Sequence, residues 1–232
     1  MDRTQGRSRS QTTVLIAEDR SLLAESLAAV LDASDVSVEI AADLSLSGIL
    51  EHVDANRPNV AVVAMGIGSG RLTEDVIGAL CGLGIPTLVM TGGEDRLRLA
   101  RCVAEGAIGI IDKSMNIETL TQMVRDAGRV DSLISDRQRN ELEDELRRHR
   151  ATIRKRLQPF EALTSREREV LMDLTRGLRA QEIAERSFVS VSTVRSQIKS
   201  ILRKLGVRSQ VQAVAAAIES DWLGHHSGAV AS

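Results

Sequence analysis

Residues 59–70 read "NVAVVAMGIGSG". The apolar run Val60 to Met65 stops on a loop that carries Gly66, Gly68 and Gly70. A short run that is apolar at every position, bounded by turn residues, is the pattern of a strand buried on both faces. Four more such runs flank it: "TVLIA" (13–17), "VSVEIAA" (36–42), "GIPTLVMT" (84–91) and "AIGIID" (107–112). Helical patterns lie between and after them, at 20–31, 45–55, 71–83, 94–105 and 116–129. Strands that alternate with helices imply a parallel sheet covered on both sides. The expectation is a five-stranded, doubly wound α/β domain over residues 13–130. Its site should lie at the carboxyl ends of the strands, near the topological switch point.

The whole chain has 232 residues, room for a second small domain. No apolar run approaches the ~18 residues of a membrane span, so no membrane partner is expected. The first residues, "MDRTQGRSRSQTT", are polar and basic without the apolar centre of a secretory signal. Residues 1–12 and the Gly/Ser/Ala-rich 221–232, which includes His225 and His226, are expected to be flexible tails. Cys81 and Cys102 fall in apolar helical patterns and suit buried reduced thiols, which points to the cytoplasm. The four histidines share no metal-ligand spacing with the cysteines, and neither a metal nor a cofactor is expected.

The net charge of -2 conceals two opposite halves. Residues 1–135 carry 12 Lys+Arg against 19 Asp+Glu; residues 136–232 carry 18 against 13. The second half, at +5, is the one suited to a polyanion.

Residues 131–160 form a charged linker. Within "SDRQRNELEDELRRHRATIRKRLQP" (135–159), Leu142, Leu146, Ile153 and Leu157 share one narrow helical stripe. That stripe suits either a linker helix packing on its own domains or a short dimer coiled coil. From Leu163 onward the pattern is wholly helical. Thr164 and Glu167 have the spacing of a capping box, and Gly177 suits a helix stop. Short helices at 180–187 and 193–205, the latter capped by Ser192, are followed by one at 209–220. Two short helices joined by a tight turn, the second rich in cations, make a helix-turn-helix within a four-helix, all-α domain. Arg195 and Lys199, one turn apart, share the face opposite Val194, Ile198 and Leu202, with Ser196 and Gln197 beside them and Arg203 further along. Such a face can enter a major groove, cations meeting phosphate or guanine and the amide a base edge. It can also be merely a solvated basic surface; the turn and the charge asymmetry favour double-stranded DNA.

The segment "LTSREREVLMDLTRGLRAQEIAERSFVSVSTVRSQIKSILRKLGVRSQVQAV" resembles the LuxR-type (NarL/FixJ) DNA-binding domain over residues 161–220. The resemblance implies that Glu167 is a structural acid and that Arg195, Ser196 and Lys199 face DNA. It implies a homodimer contact on the last helix, at Val211, Val214, Ala215 and Ile218. Gln197 stands where many members carry histidine. The first half resembles the flavodoxin-like receiver domain of two-component response regulators. Glu18 and Asp19 match its Mg²⁺-holding acidic pair, Thr91 its hydroxyl residue and Lys113 its lysine. Two positions depart. The phosphoacceptor aspartate falls on Ala64, and the fifth-strand aromatic falls on Ile110.

Alanine has no lone pair to accept a phosphoryl group. With one carboxylate gone, Glu18 and Asp19 alone make a poor site for Mg²⁺, which prefers a full octahedron of oxygens. Lys113 is then free to pair with Asp19 or Glu18. "GIGSG" (66–70) is not a dinucleotide fingerprint: its glycines have the wrong spacing and follow the third strand, not the first. No nucleophile–base pair supports an enzyme. The expected function is therefore DNA-binding transcriptional regulation independent of aspartyl phosphorylation. The alternatives are gating by a small molecule in the former phosphorylation pocket, or a protein-interaction module that sequesters a signalling partner.

Overall fold

The computed structural model describes residues 12–93, 95–220 and 222. The expected tails, including His225 and His226, lie outside the described residues, apart from Thr12 and Trp222. The chain divides into two compact units, residues 1–147 and 148–232.

The first unit holds five strands, β1 (Thr12–Ala17), β2 (Val36–Ile40), β3 (Val60–Ala64), β4 (Thr87–Thr91) and β5 (Gly109–Asp112). They pair in parallel in the order β2-β1-β3-β4-β5. The order reverses between β1 and β3, so the switch point opens at the ends of those two strands. Every residue of β3 and β4 is buried: β3 is apolar throughout, and β4 is Leu88-Val89-Met90 between two buried threonines. Helices α1 (Ser21–Asp32), α2 (Leu46–Asn56), α3 (Leu72–Gly82), α4 (Arg96–Ala104) and α5 (Ile117–Ala127) alternate with the strands. Ser45, Asp95 and Asn116 cap α2, α4 and α5 by accepting amide hydrogen bonds. The strand starts expected at 84 and 107 fall later, at Thr87 and Gly109. Gly84 turns left-handed after α3, with φ 75°, and Pro86 brings no amide to the ladder.

Neither cysteine is in a disulfide. Cys102 is buried, and burial first, then the charge of Glu74, pushes its thiol up to about 12. Cys81 is only half-buried, and its thiol donates to the Gly106 carbonyl at 3.2 Å.

Helix α6 (Asp136–Glu161) is the long charged helix, and it runs through Pro159. Three of its four stripe residues are taken up inside the chain. Leu142 and Leu146 pack with Ala100 and Val103 of α4 and with Ile134, while Leu157 joins the core of the second unit. Arg96 adds ion pairs to Glu141 at 3.4 Å and Glu145 at 2.7 Å. Of the four stripe residues, only Ile153 joins no core cluster.

The second unit contains α7 (Ser165–Thr175), α8 (Ala180–Arg186), α9 (Val191–Leu205) and α10 (Gln210–Glu219). Thr164 and Glu167 close the expected capping box. Helix α9 begins two residues earlier than expected. Its cap is Ser190, which accepts from the Thr193 amide, and Ser192 instead hydrogen-bonds Ser190 at 2.7 Å. Two serines two residues apart, Ser190 and Ser192, offered equivalent caps, and the turn geometry selected the first. Phe160 stacks on Trp222, ring centroids 5.5 Å apart, inside a core built from α7 to α10.

Candidate functional site

At the carboxyl end of β3, Ala64 presents a methyl group with no exposed surface. Around it stand the side chains singled out in the sequence. The two neighbouring acids have separated. Glu18 is enclosed; its Oε2 receives Lys113 Nζ at 2.7 Å, and its Oε1 accepts from the Arg20 amide at 3.2 Å. Asp19 is exposed. Thr91 is buried, and its hydroxyl accepts from the Gly93 amide at 3.0 Å. Lys113 has thus chosen the buried acid. That choice follows from solvation: pairing an enclosed carboxylate relieves a large desolvation penalty, while an exposed one is served by water.

A further grip was not singled out from the sequence. The Thr73 hydroxyl reaches the carbonyls of Ala64 (3.4 Å) and Met65 (3.2 Å), and Arg98 donates to that hydroxyl at 3.0 Å. Arg98 and Arg101 of α4 also lie 3.5 Å and 3.7 Å from the carboxylate of Glu74, which has no exposed surface. Neither contact is a hydrogen bond, so Glu74 is held by charge alone. Cross-helix partners of this kind leave no periodic trace in a sequence. Among the described residues, no three His, Cys, Asp or Glu side chains gather as a metal site.

Beside this end of the sheet is a cavity of about 190 Å³ lined by Arg20, Met65, Gly66, Met90, Arg98 and Lys113 among others. A second, of about 440 Å³, is lined by Thr91, Leu99, Ile110, Met115, Met123 and Leu133 with polar residues at its edge.

In the second unit, α9 is built as an amphipath. Val194, Ile198 and Ile201 are buried, while Arg195, Ser196, Lys199 and Arg203 are exposed. Gln197 is half-buried, and its Oε1 is enclosed without a hydrogen-bond partner. The fourth cation of this helix, Lys204, turns inward to Glu167 Oε2 at 2.6 Å. Partial burial pushes the Glu167 carboxyl up, but Lys204, the Thr164 amide and hydroxyl and Ser200 outweigh it and bring its pKa to about 2. Asp173 pairs with Arg176 at the end of its own helix (3.3 Å) and reaches across to Arg186 of α8 (3.1 Å). The exposed cations of α9 therefore project from a helix that Lys204 ties to α7 through Glu167. On α10, Val211 and Ile218 are exposed by 77% and 58%, whereas Val214 and Ala215 are half-buried and Val214 packs on the core.

Residues 161–217 match the family of bacterial regulatory proteins of the luxR type. The DNA-binding transcriptional activator DevR/DosR of Mycobacterium tuberculosis is 27% identical over 210 residues, spanning 89% of this chain and 94% of that protein. The nitrate/nitrite response regulator protein NarP of Escherichia coli is 28% identical over 203 residues, spanning 86% and 91%. The crystal structure of response regulator ChrA, from a heme-sensing two-component system, is 24% identical with a TM-score of 0.44, covering 91% of this chain and 98% of that one. No helix among the described residues is long and apolar enough to cross a membrane.

Proposed function

We propose that this chain, a DNA-binding transcriptional regulator of the two-component type with a LuxR-family output domain, acts without phosphorylation of an aspartate in its first domain. One observation carries the reading: the end of β3 offers the methyl group of Ala64, and the acid and the lysine that would serve the chemistry are bound to each other. Acyl phosphate formation needs a carboxylate oxygen as nucleophile, and none stands at that position. The first domain then serves as a scaffold or regulatory module in a cytoplasmic homodimer. The test is incubation of the whole protein with a small-molecule phosphodonor and Mg²⁺. The expected result is an unchanged mass and unchanged DNA affinity. A stoichiometric acyl phosphate on Asp19 or a neighbour refutes the reading.

On the output domain, the exposed face of α9 enters the major groove. Arg195 is assigned to a guanine edge, because its planar fork can bind two acceptors at once, and Lys199 to phosphate. Ser196 and Arg203 flank them, and Gln197 joins once its side chain turns outward. Two such domains read an inverted repeat with centres about one helical turn apart, ~10 bp.

A second reading, gating by a small molecule, shifts from the former phosphorylation pocket to the neighbouring 440 Å³ cavity that Ile110 lines. Its two methionines can adapt to an irregular apolar guest. A ligand-induced rise in melting temperature that Ile110→Trp abolishes by filling the space is the outcome this reading requires.

A further inference from the structure

The chain has three aromatic side chains, two Phe and one Trp. Phe160 and Trp222 are buried against each other. The third, Phe188, is 96% exposed, and it sits in the turn between α8 and α9. Its backbone is left-handed, with φ 53°.

That conformation is imposed by the helix end. The Phe188 amide donates to the Glu185 carbonyl and the Val189 amide to the Ala184 carbonyl. These two bonds form a Schellman stop, in which the first residue beyond the cap must turn left-handed and is usually glycine. The same unit makes two other left-handed turns after helices, at Gly177 (φ 85°) and Gly206 (φ 68°), and both use glycine. At position 188 a bulky side chain occupies the strained place, and its ring gains no burial in return. The fold has no use for this ring that glycine would not serve better.

The ring's neighbours indicate its use. It lies three residues before the first turn of α9, on the turn that leads directly into the cationic face of Arg195 and Lys199. Between them stand Ser192 and Thr193, exposed residues whose hydroxyls are suited to phosphate. A duplex seated on that face places its backbone against the turn.

We infer that Phe188 is an apolar DNA contact, packing on the deoxyribose faces of the backbone beside the groove that α9 occupies. The inference rests on the DNA-binding face assigned to α9. The contact binds without neutralising charge, so it releases no counterions and adds affinity equally at every salt concentration. It reads no base, so it serves all sequences alike.

The experiment compares the parent with Phe188→Gly, Phe188→Asn and Phe188→Leu, all as full chains. Each is measured for chemical stability and for affinity to mixed-sequence duplex DNA over a salt series. Phe188→Gly is expected to be as stable as the parent or more so, because it relieves the left-handed turn. Its affinity falls about fivefold to tenfold, as expected for losing part of a buried ring, with the slope of affinity against salt unchanged. Phe188→Asn, which tolerates the turn but is polar, loses as much; Phe188→Leu keeps most of the parent affinity. Parent affinity in the Gly and Asn variants overturns the inference, even if they fail to activate transcription, because the ring then serves a protein partner. A clear loss of stability in Phe188→Gly also overturns it, by making the ring structural. A flattened salt slope does so too. If the parent itself shows no salt-dependent DNA binding, the reading of α9 falls first, and the two failures remain distinct.

Discussion

Lys113 Nζ lies 2.7 Å from Glu18 Oε2, in a pair whose acid has no exposed side-chain surface and whose base is 23% exposed. The bond ties the end of β1 to the residue after β5 across 95 residues of sequence.

Breaking this pair from one side should be worse than removing it whole. Lys113→Met leaves a buried carboxylate with only the Arg20 amide, and should cost about 3–5 kcal/mol. Adding Glu18→Gln removes the stranded charge and should recover part of the loss. Urea unfolding of the three proteins measures this. A single variant with the parent's midpoint would mean that the pair contributes nothing.

The second unit should be sensitive to acid through Glu167. Its carboxyl is held at about 2, below its ordinary 4.5, so the fold prefers the ionised form. The resulting stabilisation is complete above pH 4.5 and is lost as the pH falls towards 2. Glu167→Gln should lower stability at neutral pH by about 1–3 kcal/mol and flatten the acid limb of the curve. Thermal melts of parent and variant between these pH values decide it; parallel curves count against the assignment.

The stripe on α6 should prove intramolecular. Leu142→Ala, at a side chain packed on α4, is expected to cost about 2–4 kcal/mol, because it leaves a cavity. Ile153→Ala, outside every core cluster, should stay within about 0.5 kcal/mol. If Ile153→Ala instead dissociates a dimer in sedimentation, the helix forms an intermolecular seam.

Arg195 and Lys199 should leave different traces on DNA. Arg195→Ala is expected to cost about 1–3 kcal/mol on the target and to relax preference at one base pair. Lys199→Ala should weaken all sequences alike and reduce the salt slope by about one. Equal losses on target and scrambled DNA for Arg195→Ala would remove its base-reading role.

The dimer contact on DNA is best tested at α10 positions that the monomer leaves free. Val214 packs on its own core, so a charge there mixes folding with assembly. Val211→Asp and Ile218→Asp, at exposed positions, should keep the parent's stability and abolish cooperative binding to paired half-sites. Cooperative binding by both variants would move the contact elsewhere.

The sheet was legible because β3 is apolar at every position and β4 is apolar between two threonines, a pattern that burial on both faces explains. The capping box at Thr164 and Glu167 and the split of α9 into Val194/Ile198 and Arg195/Lys199 were legible for the same reason: each is local and periodic. What escaped was decided by distance or by near-equivalence. Glu74 meets Arg98 and Arg101 from another helix, and no spacing announces that. Lys113 had two adjacent acids to choose from, and only their unequal burial separated them. Ser190 and Ser192 were both fit to cap α9. Phe188 reads in the sequence as one more apolar residue; its left-handed backbone and full exposure appear only in three dimensions.

A methyl group at position 64 also takes away a clock. An aspartyl phosphate is a high-energy bond that water breaks, so a domain carrying one remembers a signal for a characteristic lifetime and then forgets it. Ala64 can store no such bond and so has nothing to decay. On the function proposed above, with no timer at that position, the duration of the response passes to slower quantities: how much of the protein is made, how fast it is degraded, and how its concentration compares with that needed for assembly on DNA. A doubling of protein concentration would then act on such a regulator as a signal in its own right.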